Sequence, residues 1–172
     1  PEVIALATLP VEAGIPGLPT KDMVLVLESI RDPGNLGTIL RTADWFGFRE
    51  IICSEDSVDA WNPKVVQASM GAILRTSVHY TPLAGYLEKA SEAKIPVTGT
   101  MLDGKSLHEI RITPPAIILF GNESRGISEE LRNCLQYGIR IPDYPEGTSA
   151  TESLNVATSL AIVCAWLRWS PQ

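Results

Sequence analysis

The sequence predicts an α/β fold in which a parallel sheet carries helices on both faces. Short apolar segments bounded by polar turn residues recur along the chain, and segments with helical periodicity separate them. Strands linked by helices of about 10–15 residues are typical of a parallel sheet with both faces covered. A chain of 172 residues with 45% apolar residues is also long enough to bury one core.

The alternation of strands and helices begins at Met23. The predicted strands cover 23–28, 50–53, 77–80, 96–101, 116–120 and 138–141. The predicted helices cover 36–46, 63–74, 83–93, 128–134 and 154–169. The last helix is apolar on nearly every side, which predicts a helix that is central or packed against a second subunit.

Residues 1–20 form a predicted linker or entry arm before a single domain at 21–172. The arm is rich in proline and glycine. It lacks a basic segment followed by an apolar block, so secretion is not indicated and the cytoplasm is the expected location. No uncharged apolar stretch reaches the roughly 18 residues that suggest a membrane span, which predicts a soluble protein.

The charge and the cysteines exclude several kinds of site. A net charge of −6 argues against a protein that grips a polyanion through its overall charge, so any contact with nucleic acid must be local. Three widely spaced cysteines in apolar surroundings predict reduced core thiols. His79 and His108 have no partner motif, so no metal site or catalytic triad is expected.

Three predicted loops hold the most unusual polar residues of the chain. In open α/β sheets, ligands bind beyond the carboxyl ends of the strands. The loops at 29–35, 121–126 and 142–152 each follow a predicted strand. We therefore expect them to meet in one pocket at a single edge of the sheet.

The first loop leads into the helix that carries Asn35, Gly37 and Arg41. Asn35 is the expected N-cap, and the free backbone N–H groups there could receive a phosphate or a carboxylate. Gly37 lies one turn before Arg41 and leaves room beside it. The same residues also describe an ordinary capped helix in which Arg41 pairs with Asp44 or stacks on Trp45.

The second loop is bounded by Gly121 and Gly126. A polar loop between two glycines suits close approach of the backbone to a ligand, although any sharp turn uses glycine too. Neither the dinucleotide-binding pattern G-x-G-x-x-G nor the P-loop pattern occurs. The loop alone leaves a binding role and a turn role open.

The third loop ends at Ser153 and Asn155, two polar residues at the mouth of the apolar last helix. Burying a hydroxyl or an amide without partners costs roughly 1–3 kcal/mol. If buried, such side chains usually hold a ligand or a backbone segment in place. The simpler alternative is a core helix with Ser153 as its N-cap.

Taken in order, these segments resemble the three motifs of the TrmH/SpoU family of RNA 2′-O-ribose methyltransferases. The matching segments are Asn35-x-Gly37-x3-Arg41 with Phe46-Gly47, then Phe120-Gly121-Asn122-Glu123-x2-Gly126, and finally Ile141-Pro142 with Ser153-Leu154-Asn155-Val156. The resemblance covers nearly all of 23–168. One departure is the third motif, where the gap between Pro142 and Ser153 is longer than the family usually has.

The resemblance implies a SPOUT fold, in which the C-terminal part of the sheet is tied in a trefoil knot. It also implies S-adenosylmethionine as the cofactor, ribosomal or transfer RNA as the substrate, and a homodimer formed through the C-terminal helix. Many relatives carry an additional RNA-binding domain in front, and the expectation is that such an upstream domain is absent here.

The resemblance also assigns roles to residues. The family's functional polar positions match Asn35, Arg41, Glu123, Ser153 and Asn155. Its cofactor loops match Phe120, Gly121, Asn122, Glu123, Gly126, Ile141, Pro142, Ser153 and Leu154. These loops are expected to contact the cofactor mostly through their backbone.

The implied reaction moves a methyl group from a sulfonium to a ribose 2′-hydroxyl, which needs its proton removed or its developing charge stabilised. A guanidinium with a pKa above about 12 is a weak base, which favours Arg41 as a clamp on a phosphate or an oxyanion. Ser153 and Asn155 are expected to hold the loop and Arg41 in place. A base methyltransferase of the same fold and a non-catalytic RNA-binding module are the alternatives.

Overall fold

The computed structural model describes residue 8, residues 17–148 and residues 153–169. The described chain forms a six-stranded sheet in which every pairing is parallel. The strands are β1 (Met23–Leu27), β2 (Glu50–Cys53), β3 (Ser77–Tyr80), β4 (Val97–Ser106), β5 (Ala116–Phe120) and β6 (Tyr137–Arg140). The helices are α1 (Pro33–Trp45), α2 (Pro63–Ser69), α3 (Leu83–Glu92), α4 (Glu129–Arg132) and α5 (Val156–Trp169).

The strands lie in the order β3, β2, β1, β5, β4, β6, so β1 and β5 are central and fully buried. Along β1, Leu25 and Leu27 join one apolar cluster, whereas Val24 and Val26 join the other. This period-two alternation places a core on each face of the sheet. Helices α1 and α5 cover the first cluster and α3 covers the second. The predicted parallel sheet with helices on both faces is confirmed.

Helix α1 begins at Pro33, earlier than predicted. Its N-cap is Asp32, whose carboxylate accepts a hydrogen bond from the backbone N–H of Asn35 at 2.8 Å. Proline is favoured at the first helical position because its missing N–H is not needed there. The prediction of Asn35 as the N-cap is therefore wrong. Asn35 is the third residue of the helix, and its side chain is available for contacts outside α1.

The helix predicted at 63–74 breaks after Ser69. Met70 and Gly71 adopt the left-handed conformation, with φ of 50° and 84°. That conformation ends an α-helix, and a short 3₁₀ helix at Ala72–Leu74 follows. The apolar spacing continues through the break, so periodicity alone does not reveal it.

Strand β4 extends beyond its predicted end at 101. Its pairing with β6 shifts register between Thr100 and Lys105. Gly104 permits the close approach of the two strands, because a Cβ there would lie 2.6 Å from backbone atoms of Gly138 and Ile139. The added segment lacks apolar alternation, which is the signal used to predict a strand.

The remaining differences lie at element ends. Helices α4 and α5 are shorter than predicted.

The first described residues of the domain contact α3. The carbonyl oxygen of Gly17 accepts a hydrogen bond from the Tyr86 hydroxyl at 3.2 Å, and Leu18 packs against the second cluster. Most of the predicted arm at 1–20 lies outside the described residues. Within the described ranges, every helix is too short or too polar to cross a membrane.

Candidate active site

The loops after β1 and β5 meet at the carboxyl edge of the sheet because the two strands are neighbours. The Asn122 side chain, just after β5, donates to the carbonyl oxygen of Ser29, just after β1, at 2.9 Å. The backbone N–H of Glu28 donates to the carbonyl oxygen of Phe120 at 2.9 Å. The first turn of α5 reaches the same edge through Asn155, as described next. The predicted meeting of the loops at 29–35 and 121–126 is thus observed, whereas the meeting of the loop at 142–152 with them stays a prediction.

Asn155, Asn35 and Glu123 form a continuous chain of hydrogen bonds, named here the amide chain. The amide nitrogen of Asn155 donates to Oδ1 of Asn35 at 2.9 Å. The amide nitrogen of Asn35 donates to Oε1 of Glu123 at 2.8 Å. Because a carboxylate only accepts, Asn35 must present its NH₂ group to Glu123 and its oxygen to Asn155. The amide chain ties α1, the β5 loop and α5 together.

Asn155 is held in the amide chain by the helix that it precedes. Its Oδ1 accepts hydrogen bonds from the backbone N–H groups of Ala157 and Thr158, at 2.9 and 3.3 Å. Asn155 therefore caps α5, the role that the simpler alternative gave to Ser153. Because its oxygen accepts these two backbone hydrogen bonds, its NH₂ group is the part that donates to Asn35. Ser153 and Asn155 are exposed, which corrects the idea that they are costly buried polar groups.

The loop after β5 is organised by Asn122. Its Oδ1 accepts from the backbone N–H groups of Ser124 and Arg125, at 3.0 and 3.1 Å, and its backbone pairs with Gly126 in both directions. A Cβ at Gly121 would lie 2.3 Å from the carbonyl carbon of Gly126. Gly126 itself has φ of 67°, which favours glycine. Closure of the loop on itself explains both glycines.

The other predicted cofactor positions present different surfaces. Phe120 is fully buried, so only its backbone borders the edge. Ile141 and Pro142 follow β6 and are half-buried, and Leu154 is 48% exposed. These residues supply apolar surface close to the ends of β6 and α5. The intervening residues 149–152 lie outside the described part of the chain.

Arg41 lies apart from the amide chain. Six residues after Asn35, it is about 9 Å farther along α1 and rotated by about 120° around the helix axis. It is exposed and forms no hydrogen bond or ion pair with another described residue. Within the described residues, Arg41 therefore has no hydrogen bond or ion pair with the other four predicted catalytic positions.

The two structural roles considered for Arg41 are not observed. Asp44 pairs instead with Arg49 and Arg75, at 2.9 and 2.7 Å. The hydrogen bond from Arg75 is the main reason why the pKa of Asp44 lies below its usual value. In the ranges that the structure describes, no cation–π contact joins Arg41 to Trp45. The guanidinium of Arg41 thus stays available to a ligand.

Gly37 does not create space beside Arg41. A Cβ at Gly37 would lie 2.4 Å from the Cβ of Ala68 and 2.8 Å from the carbonyl oxygen of Val65. Helix α2 therefore covers this face of α1, and the glycine permits the close approach of the two helices. The expectation of an open space at Gly37 is wrong for that reason.

Sequence reasoning missed two features of this edge. Strand β4 lies between β5 and β6, so its segment from Thr100 onwards lies between two of the predicted loops. Strand order cannot be read along the chain, and only the three-dimensional sheet reveals this neighbour. The second feature is a cluster of hydroxyl groups around Asp56, after β2. The closely spaced Ser54 and Ser57 were its only signal in the sequence.

The cysteine thiols are poor nucleophiles. Burial raises the pKa of Cys53 and Cys164 to about 12, and burial is also the main cause of the raised pKa of Cys134. A thiol with a raised pKa carries little thiolate at neutral pH. Within the described residues, no His, Cys, Asp and Glu side chains are grouped so as to hold a metal ion.

A family model described as the SpoU rRNA Methylase family matches residues 22–165. The matched range covers most of the chain and includes every member of the amide chain. The protein belongs to this family. The family resemblance inferred from the three motifs is thereby confirmed.

Two curated relatives match most of the chain. RlmP of Bacillus subtilis, a 23S rRNA (guanosine(2553)-2′-O)-methyltransferase, is 30% identical over 97% of this chain and 64% of its own length. RlmB of Pseudomonas syringae, a 23S rRNA (guanosine-2′-O-)-methyltransferase, is 32% identical over 81% of this chain and 56% of its own length. The chain spans less than two thirds of the length of these relatives.

Solved structures show the same fold. A TrmH-family protein from Porphyromonas gingivalis has a TM-score of 0.82 at 43% identity, covering 90% of this chain and 62% of that one. An AdoMet-bound rRNA methyltransferase from Sinorhizobium meliloti has a TM-score of 0.80 at 30% identity, covering 87% of this chain and 57% of that one. The α/β fold class is thus shared with solved members of this family.

Proposed function

We propose that the protein transfers a methyl group from S-adenosylmethionine to a ribose 2′-hydroxyl of ribosomal RNA. The observation that carries the proposal is the amide chain, which joins segments of all three motifs at one sheet edge. The two curated relatives described above are named as 2′-O-methyltransferases of 23S rRNA. These names favour ribosomal RNA over transfer RNA.

The residues at this edge fit S-adenosylmethionine. A nucleoside group needs apolar surface for its ring and a few polar groups to orient it. Ile141, Pro142 and Leu154 supply partly exposed apolar surface. The ends of the adjacent strands β5, β4 and β6 bring backbone groups together beside it. When bound, the cofactor supplies an electrophilic methyl group on a positively charged sulfur.

The protein's own residues would orient the ribose and stabilise charge. The 2′-hydroxyl oxygen becomes more negative as it loses its proton during the transfer. Arg41, exposed and unpaired within the described ranges, is available to clamp a phosphate or this oxygen. Asn35 and Glu123 keep the facing loops in one arrangement, and Ser153 borders the same edge. The overall charge of −6 leaves the grip on RNA to such local groups.

The proposal is tested by incubating the protein with methyl-labelled S-adenosylmethionine and either 23S rRNA or total transfer RNA. We expect label in 23S rRNA, and nucleoside mass spectrometry should place the methyl group on ribose. A methyl group on a base would support the base methyltransferase instead. Label in transfer RNA alone would overturn the substrate. Absence of cofactor binding in calorimetry would support the non-catalytic RNA-binding module.

We also propose that two copies of the chain associate through α5. One side of α5 packs into the first apolar cluster, but on its outer side Ile162 is 37% exposed and Trp169 is 71% exposed. Uncovered apolar surface of this kind is typical of a subunit interface. Light scattering should give the mass of a dimer. Ile162→Lys should give a monomer, whereas Glu88→Lys, at an exposed position of α3, should not.

We further propose that the C-terminal part of the sheet is tied in the trefoil knot that the family resemblance implies. Strand β6 lies at the edge of the sheet, whereas α5 packs against α1 beside central β1. Two elements that follow each other in the sequence thus lie at different positions across the sheet, which the proposed knot requires.

Both named relatives act on ribosomal RNA of bacteria, which favours the cytoplasm as the place where the protein works.

A further inference from the structure

A polar cluster lies beside the candidate active site, around Asp56 in the turn after β2. Oδ2 of Asp56 accepts hydrogen bonds from the Ser29 hydroxyl at 2.7 Å and from Arg31 at 3.0 Å. Oδ1 accepts a hydrogen bond from the Ser54 hydroxyl at 2.7 Å. One carboxylate is thus the common acceptor for groups from the loop after β1 and the loop after β2.

The hydroxyl protons of this cluster are directed towards Asp56. Ser54 gives its only proton to Asp56, so Ser57 must be the donor in its 3.0 Å contact with Ser54. The Ser54 oxygen also accepts from the backbone N–H of Ser29 at 2.7 Å, and the Ser57 oxygen accepts from that of Ile30 at 3.1 Å. The hydrogen bond from Ser29 is the main reason why the pKa of Asp56 falls to about 2.

Ser29 connects this cluster to the candidate active site. It has φ of 53°, a left-handed conformation that serine rarely adopts, and it is only 9% exposed. All of its polar groups are bonded: the N–H to Ser54, the hydroxyl to Asp56 and the carbonyl oxygen to Asn122. An unfavourable backbone conformation persists only where its surroundings hold it.

The side chain of Asn122 completes the connection. The nitrogen that donates to Ser29 at 2.9 Å also donates to Oε2 of Glu123 at 3.3 Å. The other oxygen of Glu123 accepts from Asn35 in the amide chain. Hydrogen bonds therefore run without interruption from Asp56, through Ser29 and Asn122, to the residues that match the family's catalytic positions.

We propose that Asp56 is a positioning residue for methyl transfer. It holds Ser29 in the loop after β1, and Ser29 in turn accepts the hydrogen bond from Asn122 that fixes the loop after β5. In this role it touches neither the RNA nor the cofactor. The proposal rests on the function proposed above, since methyl transfer supplies the rate that the alignment affects.

The first test compares variants of Asp56 with a matched control. Asp56→Ala removes both acceptor oxygens, and Asp56→Asn keeps one of them. The control is Asp44→Ala, which removes a carboxylate bonded to two arginines at the far end of α1. Asp56→Ala should lower kcat on 23S rRNA about tenfold, with a smaller change in KM, and Asp56→Asn should lower it less. Asp44→Ala should stay within about twofold of the unaltered protein.

A double-mutant cycle separates positioning from general destabilisation. If Asp56 acts through Glu123, Asp56→Ala should lower kcat little further in a protein that already carries Glu123→Ala. Fully additive losses of kcat would contradict the proposal. The cycle uses folded variants with matched melting temperatures, so a loss of folded protein does not enter the comparison.

The second test does not depend on activity. The side-chain amide signals of Asn35 and Asn122 in ¹⁵N NMR spectra should shift in Asp56→Ala and remain in place in Asp44→Ala. Unchanged signals together with a normal kcat would overturn the positioning role of Asp56 alone. An unaltered protein that neither binds S-adenosylmethionine nor methylates RNA would overturn the proposed function, whereas the NMR signals would still report the alignment.

Discussion

The two ends of helix α1 are held by different kinds of polar contact. At its start, Asn35 is bonded to Glu123 and Asn155, which lie 88 and 120 residues away in the sequence. At its end, Asp44 is paired with Arg49 and Arg75. One end therefore joins distant loops through amides, and the other joins neighbouring surface elements through charges.

The difference shows where this domain needs precise geometry. The amide chain satisfies its donors and acceptors in a single arrangement, because each amide has a nitrogen side and an oxygen side. The arginine side chains at Asp44 are 64% and 54% exposed, and exposed ion pairs contribute little to stability. The contacts that fix a single arrangement of the loops thus lie at the end of α1 that borders the candidate active site. Arg41, between the two ends, is tied to neither.

The largest expected effect is that of Arg41→Ala. If Arg41 binds a phosphate or the developing oxyanion, its loss should lower kcat for methyl transfer on the order of 100-fold or more. The Kd for S-adenosylmethionine should change less than about threefold, because the cofactor loops do not depend on Arg41. Kinetic assays and calorimetry measure the two quantities.

Arg49→Ala is the matched control, since it removes an arginine that is already paired with Asp44. It should leave kcat nearly unchanged. Equal losses of kcat and cofactor affinity in Arg41→Ala would point to a structural role for Arg41 and would remove the contrast with Arg49.

The second prediction concerns Asn35→Asp, which preserves size but replaces the NH₂ group by oxygen. A carboxylate would then face the Glu123 carboxylate across the present 2.8 Å contact. Repulsion and the lost hydrogen bond should lower the free energy of unfolding by about 1–3 kcal/mol. We expect kcat to fall by about tenfold or more, because α1 and the loop after β5 would move apart at the candidate active site.

Asn62→Asp provides the comparison for that variant. Asn62 caps α2 through its oxygen, and aspartate caps equally well. Urea unfolding should therefore show no loss for Asn62→Asp. A similar lack of effect for Asn35→Asp would mean that the direction of the amide chain is unimportant.

The third prediction concerns pH. The folded-state pKa values of Asp44 and Asp56 are both depressed, that of Asp56 to about 2. The unfolded chain therefore binds more protons at acidic pH, and stability should be lost as the pH falls from about 4 towards 2. Because the Asp56 side chain is 46% exposed and solvent screens its contacts, its share should be no more than about 1 kcal/mol.

Urea midpoints measured at pH 6, 4 and 3 test this dependence. The fall in the midpoint should be smaller in Asp56→Asn, which has no proton to gain at this position. An identical pH profile for the variant and the unaltered protein would show that Asp56 is not held in the folded state as described.

The smallest expected effect is that of Asp44→Ala on stability. Removing the carboxylate that two arginines share should lower the melting temperature on the order of 2 °C, because solvent around the exposed arginine side chains screens most of the attraction. Differential scanning calorimetry measures the shift. A loss as large as that of Asn35→Asp would mean that both ends of α1 are held with equal strength.

Local sequence patterns were sufficient for most elements of this fold. Each of the six strands was predicted near its observed position, because short segments rich in apolar residues with polar boundaries are typical of strands. The break in α2 was missed since the left-handed pair Met70 and Gly71 lies within an unbroken apolar spacing. The added length of β4 was missed since it depends on pairing with β6.

For the candidate site, the structure links three of the five predicted catalytic positions, and the catalytic role of all five stays a prediction. Asn35, Glu123 and Asn155 were selected from their motifs, and the structure joins them by two hydrogen bonds. The N-cap role predicted for Asn35 belongs to Asp32, three positions earlier, because no periodic signal in the sequence distinguishes the helix start. The contribution of Asp56 depends on contacts between two loops, which a linear pattern does not contain.

The sequence by itself determined the fold class, the family and three of the polar residues at the carboxyl edge, namely Asn35, Glu123 and Asn155. These follow from local periodicity and from short motifs, which are properties of neighbouring residues. Only the tertiary structure decided the strand order, the covering of Gly37 by α2 and the partners of each polar side chain. Hydrogen bonds are directional and short, so contacts between residues distant in sequence appear only when the folded chain brings their donors and acceptors together.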